Sequence, residues 1–166
     1  MTMEAFNSLS AEAARQALRA CCDAAAWVDT VASRRPYPDA AALETAGMAA
    51  YDALSAAEIR QAVAAHPAIG ARVGGGDVES RWSRGEQAGA ADADAGLKAA
   101  QAEANAAYTD RFGHVFLICA TGRSAAEMLA EARRRLNNDP ETEAAEVARE
   151  LREIVRLRLR KLVGSE

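Results

Sequence analysis

Apolar residues recur at helical spacing along this chain, and the last predicted helix shows the pattern most clearly. When its residues are placed at about 100° per residue around a helix axis, several apolar side chains fall within a sector roughly 100° wide. These residues are Val147, Leu151, Ile154, Val155 and Leu162. A stripe of that width is typical of a helix that packs one face against a core.

Helix start signals divide the rest of the chain into further helical segments. Two Ser-x-x-Glu capping boxes begin at Ser55 and Ser124, and Asp139 followed by Pro140 opens the last helix. The predicted helices are Ala11–Ala24, Ala40–Leu54, Ser55 to His66, Glu79–Ala90, Asp94–Arg111, Ser124–Leu136 and Pro140–Val163. The pattern predicts an all-α fold, a compact bundle of about seven or eight helices that forms a single domain over residues 1–166.

Two segments stand outside this helical pattern. Val115–Ala120 is the only strongly β-prone run, but one short run without a partner cannot form a sheet, so we expect a buried extended segment. Gly74–Gly76 predicts a flexible connection that could equally serve as a mobile lid.

The composition favours a helical fold and argues against nucleic acid and membranes as partners. Half of the residues are apolar and only 5% are aromatic, which favours closely packed helices over a β-sandwich. The net charge of -4 gives a field that repels nucleic acid and anionic membrane surfaces. No segment approaches the roughly 20 uninterrupted apolar residues that span a bilayer, and residues 1–10 lack a secretory signal. We expect a cytoplasmic protein without nucleic-acid or membrane partners.

The cysteines do not form a metal or redox motif. Cys21, Cys22 and Cys119 are odd in number and lack C-x-x-C spacing, so we expect reduced core thiols. The chain has only two histidines, and a zinc site is not expected. One of them, His114, lies where the chain changes direction after Gly113, and we expect a structural role for it.

Arg158 is an anomaly because it lies near the middle of the apolar stripe of the last helix. A guanidinium on an apolar face is costly to bury unless it meets an anion or several acceptors. Three interpretations are open: a salt bridge within the protein, a side chain that extends past the stripe to water, or an anionic ligand.

His66 stands directly before Pro67, where the predicted helix must end, because proline disfavours helical backbone at the preceding residue. An imidazole has an unperturbed pKa suited to proton transfer at neutral pH. It can also donate to the last carbonyls of the helix and complement the helix dipole. His66 is therefore either a helix cap or an acid–base catalyst.

Ser83-Arg84-Gly85-Glu86-Gln87 carries further candidate chemistry. Ser83 and Glu86 have the spacing of a capping box, which is the structural alternative. The functional alternative is that Glu86 acts as a base or orients a ligand hydroxyl. The amide of Gln87 could then bind a urea-like or amide-like ligand edge.

In combination, these motifs resemble the OHCU decarboxylases. These enzymes of urate breakdown convert 2-oxo-4-hydroxy-4-carboxy-5-ureidoimidazoline (OHCU) into (S)-allantoin. The similarity extends over nearly the whole chain, and several motifs in the family's order are more specific than any one of them. The matching elements are Phe6-Asn7, Trp27, Arg35-Pro36-Tyr37, Ala65-His66-Pro67-x-Ile69-Gly70, Ser83-x-x-Glu86-Gln87, Asn105-x-x-Tyr108, Arg111-Phe112-Gly113, Phe116–Gly122, Arg135-Leu136-x-Asn138 and Leu157-Arg158-Leu159.

The resemblance implies an all-helical carboxy-lyase that acts on a small molecule with no metal and no organic cofactor, and it suggests a homodimer. It implies that His66 and Glu86 are catalytic. The implied substrate-binding residues are Pro67, Ser83, Gln87, Phe116, Leu117, Ile118 and Arg158. Two other functions remain open: a non-catalytic helical interaction module, and a decarboxylase of a related ureido heterocycle.

Overall fold

The computed structural model of this chain describes residues 1–70, 78–91 and 93–164. Within these ranges the chain forms ten α-helices and no β-strand. The helices are α1 (Met3–Ser8), α2 (Ala11–Arg19), α3 (Ala25–Ser33), α4 (Ala40–Asp52), α5 (Ala56–Ala64), α6 (Val78–Glu86), α7 (Ala88–Ala91), α8 (Ala95–Phe112), α9 (Ala125–Arg135) and α10 (Pro140–Val163). The Gly74–Gly76 connection lies outside the described residues. Within the described ranges, no helix has the length and apolar character needed to cross a membrane.

The all-helical prediction is confirmed, and the start signals located most helices because the caps are formed. Both predicted capping boxes are present, at Ser55 and at Ser124. The side chain of Asp94 accepts a hydrogen bond from the backbone N–H of Leu97 at 2.7 Å. At the other end of α8, Gly113 has a φ of 76° and caps the helix as expected.

The predicted number of about seven or eight helices is too low, for reasons that the structure makes clear. The prediction misses α1, although Thr2 caps it by accepting a hydrogen bond from the N–H of Ala5. It also misses α3, because Ala24 at the start of α3 offers no side-chain cap. The predicted helix Glu79–Ala90 is divided into α6 and α7 at Gln87. A Cβ at Gly89 would collide with the carbonyl oxygen of Arg123, so the small residue allows α7 to approach that backbone.

Contacts divide the chain into two compact units, Met1–Ala65 with Arg152–Glu166, and His66–Leu151. In the first unit Trp27 is fully buried, and its indole N–H donates to the carbonyl of Gly47 at 2.8 Å. A Cβ at Gly47 would collide with the side chain of Leu159, which shows how closely α4 and the end of α10 pack.

The three cysteines are free thiols, as predicted. Cys21 and Cys22 are buried in the first unit, and Cys119 is half-buried in the second. Burial raises the pKa of the Cys22 thiol to about 12, so this sulfur stays protonated and unreactive at neutral pH.

The core of the second unit surrounds the segment between α8 and α9. Phe116, Leu117 and Ile118 are buried there in neither helix nor strand, which confirms the predicted buried apolar segment. The core cluster comprises Ile69, Ala104, Tyr108, Phe116, Ile118, Ala120, Met128, Leu129 and Ala132. Ile69 therefore brings the segment that follows His66 into the same core as Phe116 and Ile118.

Candidate active site

His66 lies just beyond the end of α5, where Pro67 was expected to stop the helix. The residue is only 9% exposed, so its imidazole is part of the protein interior rather than a solvated helix end. Burial keeps bulk water away from most of the ring, as a site for controlled proton transfer requires. The position suits a proton-transfer residue.

Ser83 and Glu86 lie in the second half of α6 and are both buried, with 3% and 9% of their surface exposed. Because α6 already begins at Val78, Ser83 is an interior helix residue, and the capping-box alternative is wrong. Helix residues three apart share a face, so the hydroxyl and the carboxyl point to the same side. A buried carboxyl must be hydrogen-bonded or protonated, which suits an orienting or acid–base group.

One hydrogen bond joins the His-Pro motif to the Ser-x-x-Glu-Gln motif. The backbone N–H of Gly70 donates to Oε1 of Gln87 at 3.0 Å. Gly70 has a φ of 78°, in the left-handed region that glycine adopts readily. Since a backbone N–H can only donate, it fixes the oxygen of Gln87 toward Gly70, and the amide NH₂ is the group that Gln87 can offer to a ligand.

The backbone around Phe116–Ile118 is held by side chains from later helices. Nη1 of Arg135 donates to the carbonyl of Leu117 at 2.7 Å, and the N–H of Cys119 donates to Oε2 of Glu150 at 2.7 Å. The guanidinium of Arg135 also lies over the ring of Phe116, 4.8 Å from its centroid. These hydrogen bonds hold the backbone of residues 116–119 in a fixed position.

Arg135 is itself held by a buried network that no sequence pattern predicted. Its Nη2 and Nε atoms lie 2.5 and 2.9 Å from Oε1 of Glu143, which also accepts from the hydroxyl of Tyr108. Asn138 donates to the other carboxylate oxygen at 2.8 Å. Burial raises the pKa of Tyr108, and the hydrogen bond with Glu143 adds to that effect, so the phenol remains a donor. The motif match included Arg135 and Asn138 but gave neither a role.

Arg158 lies in the first unit and is 1% exposed. Its burial rules out the interpretation in which the side chain extends past the apolar stripe to water. Nη1 donates to the carbonyl of Ala20 at 3.0 Å, which meets part of the hydrogen-bonding demand of a guanidinium. The apolar stripe of the last helix therefore carries a buried guanidinium.

A cavity of about 760 Å³ in the second unit lies beside the two joined motifs. Its volume is in the range that accommodates a small organic molecule. Its lining includes the segment Ala68–Gly70 and five polar or charged side chains, those of Arg84, Gln87, Lys98, Gln101 and Asn105.

His114 has contacts that agree with the expected structural role. Its ring meets that of Tyr108 edge-on, with centroids 5.5 Å apart, and Nδ1 donates to the carbonyl of Val115 at 3.0 Å. Among residues whose positions are described, no group of three His, Cys, Asp or Glu side chains could hold a metal ion.

The family model for OHCU decarboxylase matches residues 7–160 of this chain. The chain belongs to the OHCU decarboxylase family. A 2-oxo-4-hydroxy-4-carboxy-5-ureidoimidazoline decarboxylase from Amia calva is 34% identical over 142 residues, which cover 84% of this chain and 78% of that protein. The Uric acid degradation bifunctional protein TTL from Arabidopsis thaliana is 30% identical over 152 residues, 89% of this chain. The match spans only 47% of the plant protein, about half its length.

Solved structures agree with the family assignment. A crystal structure of an OHCU decarboxylase in the presence of (S)-allantoin has a TM-score of 0.73 at 27% identity, covering 89% of this chain and 96% of that one. A crystal structure of (S)-allantoin synthase has a TM-score of 0.70 and covers 99% of this chain and 55% of that one. Its identity of 15% supports the fold alone.

Proposed function

We propose that this chain decarboxylates OHCU to (S)-allantoin, with residues 1–166 acting as one OHCU decarboxylase domain. The observation that carries the proposal is the hydrogen bond between Gly70 and Gln87, which joins the two motifs with the candidate catalytic residues. The match of the family model to residues 7–160 supports the same activity.

The substrate can supply its own electron sink. Its carboxylate leaves from a carbon next to a C=N bond, so the electron pair of the breaking C–C bond moves onto the imine nitrogen as CO₂ departs. The nitrogen takes up a proton, which gives an enol-like intermediate. This intermediate then gains a proton on one face of the neighbouring carbon while its hydroxyl loses one and becomes the carbonyl of allantoin. We therefore expect no metal or organic cofactor, and the protein must orient the carboxylate, stabilise the developing charge and deliver a proton.

His66 is proposed to carry out the proton transfers. Its burial beside a rigid Pro67 favours a fixed imidazole that takes the hydroxyl proton of the substrate and returns a proton to the product. Glu86, buried on the same face of α6 as Ser83, would orient either His66 or the substrate. The carboxyl and the imidazole are thus assigned complementary roles.

The remaining residues are proposed to bind substrate oxygens and the ureido group. The NH₂ of Gln87 would donate to a carbonyl or carboxylate oxygen, because its own oxygen is occupied by Gly70. Ser83 and Arg158 would bind further oxygens, as the resemblance implies, together with Pro67. The fixed backbone of Phe116, Leu117 and Ile118 would contribute N–H and C=O groups.

The assay combines urate, urate oxidase and hydroxyisourate hydrolase, and follows allantoin by circular dichroism. Adding this protein should accelerate formation of optically active (S)-allantoin over the spontaneous route, which gives a racemate. A rate and an optical activity equal to those without the protein would refute the proposed function. A related ureido heterocycle offered as a competing substrate would show whether the activity is specific to OHCU.

We further propose a homodimer in the cytoplasm. The apolar, alanine-rich helices and the family resemblance support self-association, and the free thiols fit a reducing compartment. Light scattering should give the mass of two chains, and the mass of one chain would contradict the dimer.

A further inference from the structure

The segment from His66 to Gly70 lies outside any helix, and side chains from elsewhere hold its backbone at two adjacent residues. Gln87 accepts from the N–H of Gly70 at 3.0 Å. Nδ2 of Asn105, on α8, donates to the carbonyl of Ile69 at 2.8 Å. The second of these ties does not involve any residue assigned to substrate binding.

A relay of amides fixes the orientation of Asn105. The carbonyl of Ile69 can only accept, so the NH₂ of Asn105 must face it and Oδ1 must face away. That oxygen accepts from Nε2 of Gln101 at 2.9 Å, one helical turn earlier on α8. The direction of each donor is therefore set by the backbone carbonyl at the end of the relay.

The relay has a cost that packing alone does not explain. Gln101 is only 7% exposed, and its Oε1 has no hydrogen-bond partner among the described residues. A buried acceptor without a donor is destabilising, and an apolar side chain of similar length would avoid the penalty. What Gln101 provides instead is the donor that holds Asn105 in place.

We propose that Asn105 is a positioning residue for His66, acting through the carbonyl of Ile69, and that Gln101 holds Asn105 in place. The inference rests on the proposed decarboxylase function. Ile69 is three residues from His66, and Pro67 restricts the backbone between them, so a shift of Ile69 moves the imidazole. A displacement of about 1 Å of a catalytic group can lower the rate about 100-fold.

The variant Asn105→Asp tests this most sharply because it is nearly isosteric. It keeps an oxygen for Gln101 but replaces the donor to Ile69 with a second oxygen. We expect kcat to fall by about 10-fold to 100-fold, with KM within about threefold of the parent value and the helical circular dichroism unchanged. The control is Asn137→Asp, which alters an amide that donates to the carbonyl of Arg133 at the end of α9, and its kcat should match the parent.

A second variant and a second readout keep the test independent of folding and of activity. Gln101→Met removes the unpartnered oxygen, so thermal stability should be retained while kcat still falls. The chain has two histidines, so NMR of the imidazole rings gives one signal set for each. Asn105→Asp should shift or broaden the His66 signals and leave those of His114 unchanged.

The outcomes separate the two proposals. Parent-like kcat and unchanged His66 signals in folded Asn105→Asp and Gln101→Met proteins would overturn the positioning role. A raised KM with unchanged kcat would also overturn it, because Asn105 would then contact the substrate. If the parent protein has no decarboxylase activity, the proposed function fails, and the His66 signals still show whether Asn105 positions the ring.

Discussion

The carbonyl of Leu117 accepts a 2.7 Å hydrogen bond from Nη1 of Arg135, a guanidinium with no exposed surface. The bond connects a candidate substrate-binding backbone to the buried ion pair between Arg135 and Glu143. The stability of the second unit and the shape of the candidate site therefore depend on the same side chain.

Replacing Arg135 with Met should strongly destabilise the protein. The change leaves the carboxylate of Glu143 buried without its cation, a defect that costs about 3–5 kcal/mol of unfolding free energy. Urea denaturation followed by circular dichroism measures the loss. The control is Arg152→Ala, which removes a partly exposed pair with Asp52 at 2.7 Å and should cost about 1 kcal/mol or less. Equal effects for the two variants would contradict the account of Arg135.

Substitution by alanine should change the stability of the protein in opposite directions at two glycines that lie four residues apart. A Cβ at Gly89 would collide with the backbone oxygen of Arg123, whereas a Cβ at Gly85 meets nothing within 4 Å. Gly89→Ala should destabilise by about 1–3 kcal/mol through overpacking. Gly85→Ala, inside α6, should stabilise by up to about 1 kcal/mol because alanine has the higher helix propensity. Thermal melts of both variants check the signs, and a stabilising Gly89→Ala would be inconsistent with the close approach of α7.

Two serines in similar Ser-x-x-Glu sequences should have different functions. Ser55 forms a capping box, so Ser55→Ala should cost about 1 kcal/mol of stability and leave turnover unchanged. Ser83 lies within α6, so Ser83→Ala should instead reduce kcat/KM by roughly tenfold, the effect of about one substrate hydrogen bond. Paired denaturation curves and OHCU assays make the comparison. Loss of stability without loss of activity in Ser83→Ala would contradict the substrate-binding role of Ser83.

Stability should fall in acid partly because of Glu146. Hydrogen bonds from Arg134 and Asn138 lower the pKa of this carboxyl from 4.5 to about 2. A carboxyl whose pKa is lower in the folded state stabilises the fold above its unfolded pKa, and that contribution is lost as the pH falls from about 4.5 to 2. The free energy of unfolding, measured in urea across this range, should fall less steeply for Glu146→Gln than for the parent. Parallel slopes would show that the carboxyl is not selectively stabilised in its charged form.

Local features of the fold were predictable from the sequence, and long-range ones were not. The caps at Ser55, Asp94 and Ser124 formed because a cap depends on residues within one helical turn. The start of α3 was missed because Ala24 supplies no such signal. Similarly, the approach of α7 to the backbone of Arg123 is a tertiary contact with no local signature.

In the candidate site, too, local features were predictable from the sequence and long-range contacts were not. The position of His66 at the end of α5 follows from Pro67. The place of Arg158 in an apolar stripe left its burial open, and only the structure shows that the side chain is buried. Likewise, Asn105 donates to Ile69 across 36 positions and Tyr108 donates to Glu143 across 35. Such pairs follow no periodicity within a single helix, so they are seen only once the helices are packed.

A comparison of the two histidines in the OHCU assay is the sharpest test of the proposed role of His66. His66→Ala should reduce kcat by at least about 100-fold, because acid–base catalysis contributes roughly 10²–10⁴-fold, while the helical circular dichroism stays that of the parent. His114→Ala, which removes a ring packed against Tyr108, should retain near-parent turnover to (S)-allantoin. A folded His66→Ala protein with parent-like turnover would contradict the assignment of His66 as the proton-transfer residue.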